Sequence, residues 1–185
     1  HDFRPDYQRL GKILKNEGPY QILAATATAT ESVISDIISS LYLPNCRQFV
    51  TGFYRKNLHL RVIHCANKKE KQHNLMSALA GEKLPAIVYC ATRKDVDEVA
   101  TLLQGQGHPI SGYHAGMEDQ TRNRVQEQFM AGRSQVIVAT NAFGMGIDKL
   151  DIRQIIHYQF PGSIESYYQE IGRSGRDGKK STCTL

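Results

Sequence analysis

No apolar run in this sequence approaches the roughly 18 residues that a membrane-spanning helix needs, and the first residues, HDFRPDYQRL, are polar rather than signal-like. The expectation is a protein without a membrane partner. Cysteine is scarce: Cys46, Cys65, Cys90 and Cys183 fall at no Cys-x-x-Cys spacing, so neither a zinc site nor a disulfide framework is indicated. A reducing, cytoplasmic setting is the simpler expectation. Internal repeats and low-complexity segments are missing as well. So is any G-x-x-x-x-G-K-[ST] loop, and no Asp-Glu pair follows an apolar strand, which removes the usual cradle for triphosphate oxygens and the carboxylates that hold Mg2+. The chain lacks a starting Met and finishes on STCTL, a β-prone stretch, and both ends are expected to be fragment boundaries.

What is present suffices for one substantial core. Of 185 residues, 41% are hydrophobic, enough for one domain and part of a neighbour. Twenty-three Lys and Arg face eighteen Asp and Glu, a net charge of +5 that suits a polyanionic partner without selecting one. Short buried runs alternate with amphipathic stretches, the pattern of an α/β fold with a parallel sheet flanked by helices. Strands are expected at Gln21–Ala25, Leu58–Cys65, Ala86–Cys90, Gln135–Ala139 and Ile152–Tyr158. Helices are expected at Glu31–Leu43, Lys69–Ala80, Lys94–Gln106, Glu118–Ala131 and Ile164–Ile171. Thr28 and Glu31 would form a capping box, Ser163 an N-cap, and Gly107 and Gly132 helix ends. A change of character at TGFYRK suggests a division: residues 1–50 as the end of one domain, 51–56 as a linker and 57–185 as a second domain.

Chemistry concentrates in QEIGRSGRDG, Gln169 to Gly178, where Arg173 and Arg176 stand three apart in a glycine-rich turn after a helix. Glycines allow the sharp turn, and two guanidinium groups can then reach one phosphate cluster. An arginine offered across an interface stabilises the charge that develops on a transferring phosphoryl group. Taken alone, such arginines are more often solvated loop residues. A second stretch, VATNAFGMGIDK, Val138 to Lys149, joins a strand to a glycine-punctuated loop beyond the strand's carboxyl end, where open α/β sheets bind ligands. On its own this is a tight turn. IVYCATR places Thr92 and Arg93 just past another strand, and YHAGM contains His114, Ala115 and Gly116. Loops at strand ends and helix N-termini present free amides to anions, and Arg93 and Lys94 would add charge.

The order of these stretches resembles the superfamily 2 helicases, and ESYYQEIGRSGRDG resembles the RecQ family in particular. The resemblance runs from motif III to motif VI over nearly the whole chain. It implies a RecA-like fold of the kind found in P-loop NTPases, with Arg176 as arginine finger, Arg173 in support and Gln169 in the same ATP-facing cluster. Motif V then places Thr140 and the adjoining backbone toward single-stranded DNA, with Gly146 and Asp148 toward the nucleotide and coupling the two sites. Thr92 and Arg93 of motif IV, and His114, Ala115 and Gly116, contact the DNA backbone. AATATAT, with Thr26 and Thr28, resembles motif III, which relays nucleotide state between the motor units. HDFRP resembles the end of the aromatic-rich loop, so Phe3 and Arg4 would sense DNA. Two departures are visible: YRKNL, Tyr54 to Leu58, stands where the family more often has an Asp and a Pro, and Ala24 replaces a larger residue.

The function so implied is ATP-dependent translocation on single-stranded DNA and unwinding of partly duplex DNA, three-prime to five-prime, in repair and recombination. ATP and Mg2+ would be held mainly by a first motor domain lying outside this chain, which is itself a partner. Location would be the nucleoid in a bacterium and the nucleus in a eukaryote. Two other classes stay open from the residues: an RNA helicase of the same superfamily, and a non-catalytic nucleic-acid-binding module that keeps the fold.

Overall fold

Along AIVYC, residues 86–90, successive side chains point to opposite faces, and every one of them is buried. A strand covered on both sides must sit inside a sheet with helices above and below. The computed structural model bears this out. It describes residues 5–185 apart from 19–20, 27, 51–53, 82–83, 106, 108 and 145, with the side chains of 5–8 also left aside. The chain divides into two compact units, His1–Phe53 and Tyr54–Leu185.

The second unit contains β1 (Leu58–Arg61), α3 (Lys68–Leu79), β2 (Ala86–Tyr89), α4 (Arg93–Leu103), β3 (Ile110–Tyr113), α5 (Asp119–Met130), β4 (Val136–Ala139), β5 (Gln154–His157), α6 (Ile164–Ile171) and β6 (Ser181–Thr184). Its six strands form one sheet in the order β1-β6-β5-β2-β4-β3, and every pairing is parallel. Two apolar layers follow from the strand alternation. Ala86, Val88, Val136 and Val138 pack with Leu75 and Leu79 of α3 and Val96, Val99 and Leu103 of α4. Ile87, Tyr89, Ile137 and Ile155 pack on the other face with Val125 and Phe129 of α5, Phe143 and Ile171 of α6. Each fully buried aliphatic or aromatic side chain of these layers contributes about 1.5–3 kcal/mol.

The topology fixes where a ligand can sit. From β2 the chain crosses through α4, on one face, toward β3. From β5 it crosses through α6, on the opposite face, toward β6. Strands β2 and β5 are neighbours, so their carboxyl ends flank a switch point, where the diverging connections leave a crevice.

The first unit holds α1 (Pro5–Glu17) and α2 (Glu31–Ser40). Gly11 of α1 lies against α2, because a Cβ there would come within 1.8 Å of the Ser40 carbonyl oxygen. The strand expected at Gln21–Ala25 is corrected: the described residues of this unit hold no strand, and Leu23 is 91% exposed. A single extended segment without a partner leaves its backbone groups to water and does not make a sheet. The capping box is corrected too. Thr30, not Thr28, is the N-cap of α2, accepting from the Val33 amide at 3.3 Å. That helix stops at Ser40 rather than Leu43, with Tyr42 in the left-handed region at φ 56° ahead of Pro44. Gly132 follows α5 with φ 74° as expected, whereas Gly105, at φ 91°, comes after α4 before Gly107 does.

Candidate nucleic-acid and nucleotide site

Two patches form, one at the carboxyl edge of the sheet and one where the turn after α6 runs into the amino end of β6. The first gathers the ends of β2, β4 and β3. Thr92 is the N-cap of α4: its hydroxyl accepts from the Asp95 amide at 3.1 Å and donates to the Asp95 carboxylate at 2.6 Å. A threonine directly after a strand and three residues before an aspartate is the sequence signal for that cap. The next residue, Arg93, is exposed and lies over Gly116, where a Cβ would sit 2.8 Å from Arg93 Nη1. Gly116 therefore makes room for the guanidinium, and its own amide donates to His114 Nδ1 at 3.2 Å. His114 Nε2 faces the Asp97 carboxylate at 3.3 Å, which ties the segment after β3 to α4. Ala115 is exposed between them.

Thr140 belongs to this patch in position, with its side chain turned inward. It is only 8% exposed, and its hydroxyl accepts from the Ala142 amide at 3.4 Å while its carbonyl accepts from Phe143 at 3.0 Å. The side chain closes the turn 140–144 on itself. Asn141 and the turn backbone are exposed beside it. The switch-point crevice opens beside it, lined by Tyr89, Cys90, Ala91, Asn141, Gln159 and Phe160 among others. Gln159 accepts from the Ala91 amide at 3.0 Å, and Phe160 is 65% exposed at the rim. Burial pushes the Cys90 thiol up to about 12, so it stays protonated and packs as a small apolar group.

The second patch joins the turn after β4 to the turn after α6. Ser163 caps α6 as expected, accepting from the Ser166 amide at 3.1 Å. The helix is held to the sheet by a buried pair, His157 Nε2 and the Glu170 carboxylate at 2.7 Å, with His157 stacked on Tyr89 at 5.5 Å. Gln169 is exposed on its last turn. Beyond Gly172, Arg173 donates through Nη1 to the Gly144 carbonyl. Arg176 Nη1 reaches the Asp148 carboxylate at 2.8 Å and the Ile147 carbonyl at 3.2 Å. Gly146, at φ 79°, is exposed between these anchor points, in a backbone region that favours glycine.

Gly144 is required for the Arg173 contact. At φ 153°, a Cβ there would lie 2.3 Å from the guanidinium carbon. Gly144→Ala is expected to push Arg173 away and to lower stability by about 1–3 kcal/mol, read from the urea midpoint against Gly146→Ala, where a Cβ meets nothing within 4 Å.

The two turns carry guanidinium groups whose planar forks match phosphate oxygens. Among the described residues, Arg173 Nε is buried with no hydrogen-bond partner, and Arg176 engages Asp148, itself 78% exposed, and the Ile147 carbonyl. Such a surface pair is worth about 0–1 kcal/mol, so a stronger anion displaces the carboxylate readily. The arrangement fits the phosphates of a nucleoside triphosphate. Among the described residues there is no group of three or more His, Cys, Asp or Glu that could hold a metal ion.

Residues that no sequence motif singles out back this turn. Arg153 grips Asp177 through two hydrogen bonds, one of them 2.9 Å long. The Arg153 guanidinium holds the Asp177 carboxyl down at about 2. The folded value lies below the ordinary one, so the pair stabilises fully above about pH 4 and is lost as pH falls through about 2. Arg55 and Asn57 also reach the turn, Arg55 through the Gly172, Ser174 and Gly175 carbonyls. Thr26 and Thr28 lie in the first unit, where the Thr26 hydroxyl donates to the Thr28 carbonyl at 2.9 Å ahead of α2. Phe3 and Arg4 fall outside the described residues.

Comparison with known proteins places these features. Residues 67–178 match the family described as Helicase conserved C-terminal domain. The whole chain is 41% identical over 186 residues to the probable ATP-dependent DNA helicase RecS of Bacillus subtilis, spanning 38% of that protein. It is also 41% identical to the ATP-dependent DNA helicase RecQ of Haemophilus influenzae, spanning 30% of it. Among solved structures, Dbp5 of S. cerevisiae bound to RNA and ADP BeF3 superposes with a TM-score of 0.73 at 26% identity, over 86% of this chain and 43% of that one. The chain thus spans well under half the length of these relatives. With the matched segment covering more than half of the chain, the chain belongs to the helicase conserved C-terminal domain family, and it is similar over its whole length to RecQ-type helicases.

Proposed function

We propose that this chain supplies the second motor unit of an ATP-dependent DNA helicase and that its arginine turn completes an ATP site whose phosphate loop lies on another unit. The observation that carries this reading is the pairing of the turn at Gly172–Gly178 with the turn at Gly144–Asp148, which brings both guanidiniums to bonds on that second turn. ATP brings the phosphoryl group, and Mg2+ is held by the other unit. Arg176 leaves Asp148 when the triphosphate approaches and meets the charge that grows on the transferred group. Arg173 stays on the Gly144 carbonyl and keeps the two turns in register.

The patch at Thr92, Arg93, His114, Ala115 and Gly116 is the proposed track for the phosphates of single-stranded DNA. The N-terminus of α4 and the Arg93 guanidinium supply positive potential there. Asp148 and the turn from Thr140 to Gly144 belong to one loop, so a change at the nucleotide reaches the DNA track within a few residues. Movement is three-prime to five-prime by family resemblance, and Thr26 and Thr28 relay nucleotide state from the first unit.

The reading is tested by assaying this chain alone and the protein that joins it to a complete phosphate-binding unit. The chain alone is expected to hydrolyse ATP at background even with single-stranded DNA, and the joined protein to be stimulated by it. Strong turnover by the isolated chain would overturn the division of labour. Matched DNA and RNA duplexes then decide the substrate, with faster unwinding of RNA removing the DNA assignment.

A further inference from the structure

Helix α6 ends with carbonyls that no intrahelical donor can reach, as every helix does. The amides of Gly172, Arg173 and Ser174 take those of Tyr168, Glu170 and Ile171, and the carbonyls of Gly172 and of the turn beyond it find donors more than a hundred residues earlier in the chain. Arg55 Nη1 donates to the Gly172 carbonyl at 3.2 Å, and Nη2 donates to Ser174 at 3.1 Å and to Gly175 at 2.5 Å. Asn57 Nδ2 adds Gly175 at 2.8 Å and Lys179 at 2.9 Å. A cation at a helix C-terminus is favoured by the helix dipole as well. Gly175 fits between them only because it has no side chain: its φ is 55°, and a Cβ would stand 2.5 Å from Asn57 Nδ2. Arg55 is half-buried and its η nitrogens are committed to these carbonyls, so it does not serve as a phosphate ligand.

From this we infer that Arg55 and Asn57 are positioning residues for the arginine turn: they hold the backbone of residues 172–179 so that Arg173 and Arg176 point at the turn Gly144–Asp148. The inference rests on the proposed role of Arg176. Its geometry follows from the fork, since one planar guanidinium bonds three carbonyls of a single turn, which the smaller ammonium of lysine does not match. Residue 55 is also the second residue after the division at Phe53 and Tyr54.

The test uses the protein that carries this chain with a complete first motor unit. Arg55→Ala is expected to lower DNA-stimulated kcat by about tenfold or more, because a small displacement of a catalytic group is amplified in rate. KM for ATP and affinity for single-stranded DNA should stay within about threefold. Added guanidinium ion at millimolar concentration should restore part of the lost kcat, and Arg55→Lys should restore little. The double variant Arg55→Ala with Arg176→Ala should be no slower than Arg176→Ala alone, since both remove one function.

Unchanged kcat in Arg55→Ala beside an inactive Arg176→Ala overturns the clamp and leaves the finger standing. So does a double variant slowed by the full Arg55 factor. Full turnover in Arg176→Ala removes the finger reading itself and the clamp with it. Should Arg55→Ala fail to fold, Asn57→Ala keeps the guanidinium in place and is expected to show the same split between kcat and KM, about threefold in kcat; unchanged kcat there overturns the inference.

Discussion

Replacing Arg176 by Ala, in the protein that joins this chain to a complete nucleotide-binding unit, is expected to lower DNA-stimulated ATP turnover by about 10³-fold or more. On the proposed role, ATP affinity should stay within about threefold, because a guanidinium that acts on charge growing as the phosphoryl group transfers contributes little to ground-state binding. Arg176 rests on Asp148 and the Ile147 carbonyl, so removing it frees an exposed carboxylate and leaves no buried charge unpaired. Rapid-mix single-turnover hydrolysis, with nucleotide affinity measured in parallel, checks the claim. Asp148→Asn is the informative partner. It releases the arginine without removing it, and turnover close to the parent value would show that the pair is a resting contact rather than part of the reacting arrangement.

Phe143→Ala is expected to lower stability by about 3–5 kcal/mol, a large share of the roughly 5–15 kcal/mol that holds a typical domain together. Phe143 is 1% exposed, its ring meets Tyr113 at 4.8 Å and Phe129 at 5.7 Å edge-on, and its carbonyl accepts from the buried Tyr89 hydroxyl at 3.1 Å. Burial raises the pKa of that Tyr89 hydroxyl and keeps it a donor. The residue therefore joins the core to the turn that offers Gly144 to Arg173. Phe143→Leu keeps most of the volume and should lose less than about 1.5 kcal/mol. Chemical denaturation of both variants, with turnover measured under conditions where each is folded, separates packing from function. A loss below about 1 kcal/mol in Phe143→Ala would mean that the turn is not anchored through this ring.

The parallel sheet is legible in the sequence because AIVYC, VIVA and QIIH are short, apolar and buried on both faces, and such runs admit few other placements. Strand β3 is not. ISGY has a serine and a glycine at its centre, lies at the sheet edge and pairs only with β4, so its register comes from its neighbour and not from its own pattern. Helix α1 is also absent from the expected elements, although Leu10, Ile13 and Leu14 recur at three and four residues; the polar residues that open the chain mask that short stripe. In the site, Arg173 and Arg176 are legible from their glycine-flanked spacing. Their resting partners are not, because the Gly144 carbonyl and the Asp148 side chain are brought in by sheet order rather than by sequence proximity. Arg55 reads as a linker residue for the same reason. Nothing in YRKNL announces that its guanidinium is bound for carbonyls near residue 175.

The pairing of β1 with β6 carries a consequence for how the molecule is made. These are the first and last strands of the sheet in chain order, joined from Leu58↔Ser181 to Arg61↔Thr184, and Arg55 meets the arginine turn just beside that seam. Contacts of such long sequence separation form slowly, because a large loop must close before they repay it. During synthesis, the strands from β2 to β4 can assemble while β6 is still inside the ribosome. The turn that bears Arg173 and Arg176 takes its final shape only after residue 184 has emerged and the seam has closed, so this turn is among the last parts of the unit to come into being.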